Sequence, residues 1–205
     1  MKPGKSYHHG NLRAAILQRA AEVIDSQGIE ALTLRGIAKD LAVSHGAPNR
    51  HFSNKTALLS ALAADGWLKV RDATLNAADK TNSDDPHIRL NAMGRGFLRW
   101  ALHNRSLFRT LYHPDVNRFA DEDLTKAVNG FSNTVRDAVE ATQEDGRHPE
   151  VSLSILALYT NAVPTGVAMM LVDPLLEMDI NLDIDIDEEA MIEQVINLVV
   201  PLSQQ

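Results

Sequence analysis

Cysteine is absent from the 205-residue chain, which removes disulfides, thiolate nucleophiles and cysteine-ligated metals at once. A long apolar run is missing too. The longest, near residues 167–172 and 195–202, fall well short of the roughly 20 residues that span a bilayer. The first dozen residues are polar, carry proline, glycine and two histidines, and lack the apolar stretch of a secretory signal. Catalytic signatures are missing as well: the eight histidines are dispersed, and no His-x-x-x-His, Gly-x-Ser-x-Gly or phosphate-cradling Gly-x-x-x-x-Gly-Lys occurs. These absences argue against an enzyme and a membrane protein. They favour a cytoplasmic protein with no cofactor and no metal.

An excess of positive charge is also lacking, since the chain carries a net charge of −7. The charge is unevenly placed. Residues 1–66 have a balance of +3 and residues 67–205 one of −10. A basic head on an acidic body is the asymmetry expected when one segment meets phosphate and the rest avoids it.

What is present reads as helix nearly throughout. Leu12, Ile16, Leu17, Ala20, Val23 and Ile24 recur at spacings of three and four, and the pattern stops at Gly28. Thr33 can cap a short helix containing Ile37, Ala38 and Leu41, and Ser44 can cap another through Phe52. Asn54 is placed to cap a long helix with Leu58, Leu59, Leu62 and Leu68 inward. After a polar loop, Pro86 opens a helix to about Asn104, with Ile88, Met93, Phe97, Trp100 and Ala101 inward. Shorter segments near residues 106–112 precede a helix over about 121–142. Pro149 then opens another, and residues 188–202 form the last. Residues 177–187, EMDINLDIDID, alternate at period two and read as an extended acidic connection. Asp183, Asp185 and Asp187 have the spacing of a calcium loop, but Glu188 and Gln194 stand where glycine and glutamate are required.

Two short helices joined by a tight turn and braced by longer ones make a helix-turn-helix, here over about residues 32–52. The second helix must be slim and exposed to enter a major groove about 12 Å wide. The segment SHGAPNRHF at 44–52 suits that task, with small or polar leading residues and Arg50 and Lys55 for charge. Pattern alone leaves open a helical protein that never meets DNA.

The stretch at 32–59, LTLRGIAKDLAVSHGAPNRHFSNKTALL, resembles the DNA-binding signature of the tetracycline-repressor-like (TetR) regulators. The shared features are Leu-Thr-x-x-x-Ile-Ala, then Val-Ser, a His-Phe pair and x-x-Lys-x-x-Leu, and the lead-in YHHGNLRAAIL is similar to one branch of that family. The resemblance implies an all-α protein. An N-terminal three-helix helix-turn-helix domain (1–66) would be joined to a C-terminal helical ligand-binding and dimerisation domain (67–205). By the same resemblance Thr33, Arg35, Ser44, Asn49, His51 and Lys55 would lie near phosphates, and His45, Gly46, Ala47 and Arg50 near base edges. Asn49 departs from the pattern, because the family usually has tyrosine there, and operator preference is affected accordingly.

The implied partners are double-stranded DNA bearing a palindromic operator, a second copy of the chain, and an unknown small-molecule inducer. The face Ile192, Val195, Ile196 and Val199, with part of the helix over 152–172, would form the homodimer interface. Phe97, Trp100, Phe108, Tyr112, Phe131, Tyr159, Asn161 and Met169 are the candidate ligand contacts. Two alternatives from other classes stay open: a helical adaptor that has lost specific DNA binding, and an enzyme whose catalytic pair is assembled only by folding.

Overall fold

The structure is a computed structural model that describes residues 12–118, 120–172 and 187–199. Most of the period-two segment, the lead-in histidines and residues 200–202 of the last expected helix lie outside them. The described residues form nine α-helices: α1 (Leu12–Gln27), α2 (Leu34–Asp40), α3 (Lys55–Asp79), α4 (Pro86–His103), α5 (Arg105–Leu111), α6 (Pro114–Arg118), α7 (Glu122–Glu144), α8 (Leu153–Val172) and α9 (Glu188–Val199).

Local chemistry sets most of these limits. Gly28 ends α1 at φ 83°, its N–H donating to the Ile24 carbonyl. Thr33, Asn54 and Asp121 cap α2, α3 and α7, each side chain accepting from the N–H three residues on. Asp85 caps α4, with Pro86 in the first turn. Pro149 does not open α8, which begins at Leu153 after the Ser152 carbonyl has taken its first bonds.

Two helices close with the same paired bonds. Beyond α2 the N–H of Val43 donates to Ala38 and that of Ala42 to Lys39. Beyond α7 the N–H of Arg147 donates to Thr142 and that of Gly146 to Gln143. Both are Schellman ends, which need a left-handed residue after the cap. Gly146 serves at φ 92°, whereas Ala42 is held there at φ 53°.

Apolar burial assembles the body around α3. This helix runs unbroken past residue 66, the expected division between domains. Leu58, Leu59 and Leu62 pack in the head, while Trp67, Val70, Thr74 and Ala78 pack in the body. Gly96 lets α4 lie against it: a β-carbon there would stand 2.8 Å from the Ala73 carbonyl oxygen and 2.7 Å from Ala77 Cβ. The inward helical stripe is narrower than its periodicity suggests, since Leu68 and Ile88 are exposed. Ion pairs Arg95–Glu193 and Arg99–Glu189 join α4 to α9 at 2.7 and 2.6 Å.

α8 overturns one expectation. It has no charged residue, its most apolar window has mean hydropathy 1.6, and only 17% of that window is buried. By length and composition it is apolar enough to cross a membrane. Uncharged polar residues such as Thr160, Asn161 and Thr165 shorten its continuous runs without making the helix polar.

Candidate functional site

The head offers a polar surface. Thr33, Arg35, Ser44, His45, Gly46, Asn49, Arg50 and His51 are exposed, and Ala47 and Lys55 are half-buried. Segment 44–52 is not the α-helix expected. Ala47, Arg50 and His51 each donate to the carbonyl three residues back, and Pro48–Arg50 is a single 3-10 turn. Pro48 explains this, because it has no N–H to bond the Ser44 carbonyl where an α-helix would need one. Pro48 and Phe52 are buried beneath the segment, and the Arg13 guanidinium lies 5.4 Å from the Phe52 ring centre. Thr33 already accepts the Gly36 N–H, leaving its hydroxyl hydrogen to donate outward. Arg19 donates to Asp40 at 2.9 Å and fixes α1 against α2. Lys55 faces Glu30 at 3.8 Å, whereas Arg35 and Arg50 form no ion pair among the described residues.

The body holds two adjoining chambers. The inner one, of about 30 Å³, lies between α3, α4, α7, α8 and α9. Phe97, Phe131 and Asn161 line it, together with Met93, Thr74 and Thr165. Pro164 also lines it and lacks the N–H that would bond the Thr160 carbonyl. The outer chamber, about 160 Å³, is lined by Tyr159 but also by His87, Thr142, Arg147, His148 and Leu156. Leu90, Thr160 and Val199 line both.

The other expected contacts stand elsewhere. Phe108 and Tyr112 belong to an aromatic cluster with Trp67, Phe97 and Phe131, at centroid distances of 5.0–6.0 Å. Burial pushes the Tyr112 phenol above its ordinary pKa, and a hydrogen bond with the Thr165 side chain partly offsets this. Trp100 lines an open groove between α3 and α4, and Met169 packs against the core outside both chambers.

The residues expected at the dimer face are covered from within the chain. Ile192, Ile196 and Val199 are buried within the chain, and Val195 is half-buried. Ile196 fills the space opposite Gly94, where a β-carbon would stand 2.8 Å from its Cδ1. On α8 and α9 the large apolar side chains left exposed are Ile155, Leu158, Tyr159 and Leu198.

His87, Arg147 and His148 escape sequence reasoning because no periodic pattern joins a helix N-terminus to a loop some 60 residues away. His87 is 4% exposed, and neither ring nitrogen has a hydrogen-bond partner among the described residues. Burial, and next the nearby Arg147 charge, hold its pKa below the usual value.

Comparison with known proteins agrees with this arrangement. Residues 16–62 match the family described as bacterial regulatory proteins, tetR family, and residues 90–196 match its tetracyclin repressor-like C-terminal domain. An HTH-type transcriptional regulator of Mycobacterium tuberculosis is 28% identical over 118 residues, covering 57% of this chain and 50% of that protein. The class D tetracycline repressor protein of Escherichia coli is 34% identical over 90 residues, covering 43% and 40%. This chain thus spans about half the length of the regulators it matches, or less. A solved structure of a protein of unknown function from Rhodococcus sp. RHA1 superposes with a TM-score of 0.80 at 26% identity, covering 96% of this chain and 97% of that one. With the C-terminal match alone taking in more than half of its length, the chain belongs to the TetR family of bacterial regulatory proteins.

Proposed function

We propose that the chain is a cytoplasmic, DNA-binding transcriptional repressor that acts as a homodimer and is released from a palindromic operator by a small ligand. The observation that carries this reading is the exposure of Arg35 and Arg50, without an ion pair among the described residues, beside small polar side chains, on a basic head above an acidic body. Arg50 and His45 are assigned to base edges, with Gly46 and Ala47 allowing close approach. Thr33, Arg35, Ser44, Asn49, His51 and Lys55 are assigned to phosphates. The tight turn at 44–52 presents fewer side chains to a groove than an α-helix would, so operator choice leans on its first residues.

The dimer is assigned to α8 and α9. A charge-free helix with Ile155, Leu158 and Tyr159 at 51–64% exposure, beside Leu198 at 79%, is the kind of face a second copy covers. Two heads related by a two-fold axis then meet successive major grooves about 34–36 Å apart. The two chambers are the ligand site.

The test is fluorescence-anisotropy titration of DNA from upstream of the chain's own gene against scrambled DNA, over a salt series. The reading expects a preference of about 10³-fold or more and a steep salt slope. Equal, weak binding to both DNAs, with no sequence recovered by selection from a random library, would leave the adaptor reading in its place.

A further inference from the structure

Pro48 stands at the one position of its segment where an imino acid changes the path of the backbone. A helix capped by Ser44 would form its first hydrogen bond from the N–H of residue 48 to the Ser44 carbonyl. Pro48 has no N–H, and that carbonyl accepts instead from Ala47, at 2.9 Å. The three-residue spacing then continues, with Arg50 donating to Ala47 at 3.3 Å and His51 to Pro48 at 2.9 Å. Pro48–Arg50 is the resulting 3-10 turn.

The turn is held at both ends. Before it, the N–H of Val43 donates to Ala38 in the Schellman end of α2. After it, the N–H of Phe52 donates to the Pro48 carbonyl at 2.9 Å. The Phe52 ring is 3% exposed in the core, with the Arg13 guanidinium over its face. Pro48 is buried, whereas Asn49 and Arg50 on the same turn are exposed. A buried residue thus fixes the backbone from which two exposed side chains set out.

The size of the effect follows from helix geometry. A 3-10 turn rises about 2.0 Å and rotates about 120° per residue, against about 1.5 Å and 100° in an α-helix. Counted from Ala47, Arg50 therefore stands about 1.5 Å farther along the axis and about 60° farther round it. On a cylinder of about 2.3 Å radius that rotation moves Cα by about 2.3 Å, and the guanidinium farther out by more. Base pairs lie about 3.4 Å apart, so the displacement is comparable to one step of the duplex. An arginine reads guanine by aiming two N–H groups at O6 and N7 of one base, which leaves little tolerance for such a shift.

We propose that Pro48 is a specificity-determining residue of the head: by closing a 3-10 turn beneath Arg50, it sets which base pair the Arg50 guanidinium reads. Pro48 acts as a positioning residue, and its role rests on the assignment of Arg50 to a base edge.

The test is selection from a random DNA library by the full chain and by its Arg50→Ala, Pro48→Ala and Pro48→Leu variants. Single-base changes in each recovered operator are then titrated by fluorescence anisotropy. Arg50→Ala marks the positions that Arg50 governs, where preference should fall tenfold or more. Pro48→Ala restores the N–H, and at those positions it should change the preferred base or move the preference to the adjacent one. Elsewhere in the operator its preferences should stay within about twofold. Pro48→Leu keeps more of the buried volume and should behave alike, and it decides the matter if the alanine variant does not fold. A residue that only supports the head would weaken every position equally, and that outcome overturns the proposal. So does an unchanged preference in a folded Pro48 variant, or an Arg50→Ala chain that keeps every preference. An unmodified chain that recovers no sequence would fail the reading of the head itself, and the proposal with it; the other adverse outcomes fail the proposal alone.

Discussion

Arg99 holds Glu189 through two nitrogens, Nε at 2.8 Å and Nη2 at 2.6 Å, tying α4 to the first turn of α9. The pair is partly exposed, so solvent screening limits it to about 0.3–1 kcal/mol. Hydrogen bonding to Arg99 holds the Glu189 carboxyl below its ordinary pKa. A lowered carboxyl pKa contributes stability that is present above the unfolded value and lost as pH falls through the folded one. Glu189→Gln should therefore destabilise the chain by no more than about 1 kcal/mol at neutral pH, and by progressively less below pH ~4.5, in urea melts at low salt.

His87 gives a pH dependence in a higher window. Its pKa is lowered in the fold, so below the ordinary histidine value the unfolded chain takes up a proton that the folded chain refuses. Stability contributed by the neutral ring is present above about pH 6.5 and is lost as pH falls below it. Between pH 7.5 and 5.5, His87→Leu should lose less stability than the unmodified chain. Over this window the difference is at most about 1.4 kcal/mol, however far the folded value is lowered, and an equal loss in both chains would contradict it.

Gly96 cannot accept a side chain cheaply, because its neighbours are the Ala73 carbonyl oxygen, Ala77 Cβ and Thr74 Cα on α3. Backbone cannot swing aside as a rotamer can. Gly96→Ala should cost about 2–3 kcal/mol, lowering Tm by several degrees. Gly66→Ala, which meets the flexible end of Leu111 and, at ordinary contact distance, that of Leu107, should cost clearly less.

Ala42 holds a left-handed conformation at φ 53° in the turn after α2. For an L residue this costs about 1–2 kcal/mol, partly offset by the lower freedom of alanine in the unfolded chain. Ala42→Gly should raise stability by about 0.5–1 kcal/mol, read from the denaturant midpoint.

Leu158 stands 64% exposed in the centre of the apolar face of α8. Leu158→Asp should leave the helical circular dichroism spectrum unchanged while halving the mass measured by sedimentation. A chain of unaltered mass would move the interface elsewhere.

Helix limits were legible wherever a short-range bond sets them. Thr33, Asn54, Gly28 and Pro86 sit within three or four residues of the groups they satisfy, and the sequence reading places all of them. Pro48 overrides the cap offered by Ser44, an effect equally local that lies in the same nine letters. Burial was half legible. The stripe Ile192, Ile196 and Val199 reads as apolar, but periodicity cannot say whether its cover comes from α4 of the same chain or from a second one. Ile196 against Gly94 settles that only in three dimensions. The outer chamber was illegible, because His87 and Arg147 owe their meeting to the antiparallel packing of helices far apart in sequence.

The unbroken course of α3 makes it a lever. Thr74 forms part of the inner chamber wall and Lys55 opens the helix at the edge of the head. At ~1.5 Å per residue, roughly 28 Å of hydrogen-bonded rod separates them, unbroken through Gly66. A tilt of about four degrees at the chamber end would carry the head end about 2 Å sideways over that length. A guest too small to touch the head can thus change where the head stands, provided that it binds one tilt better than the other.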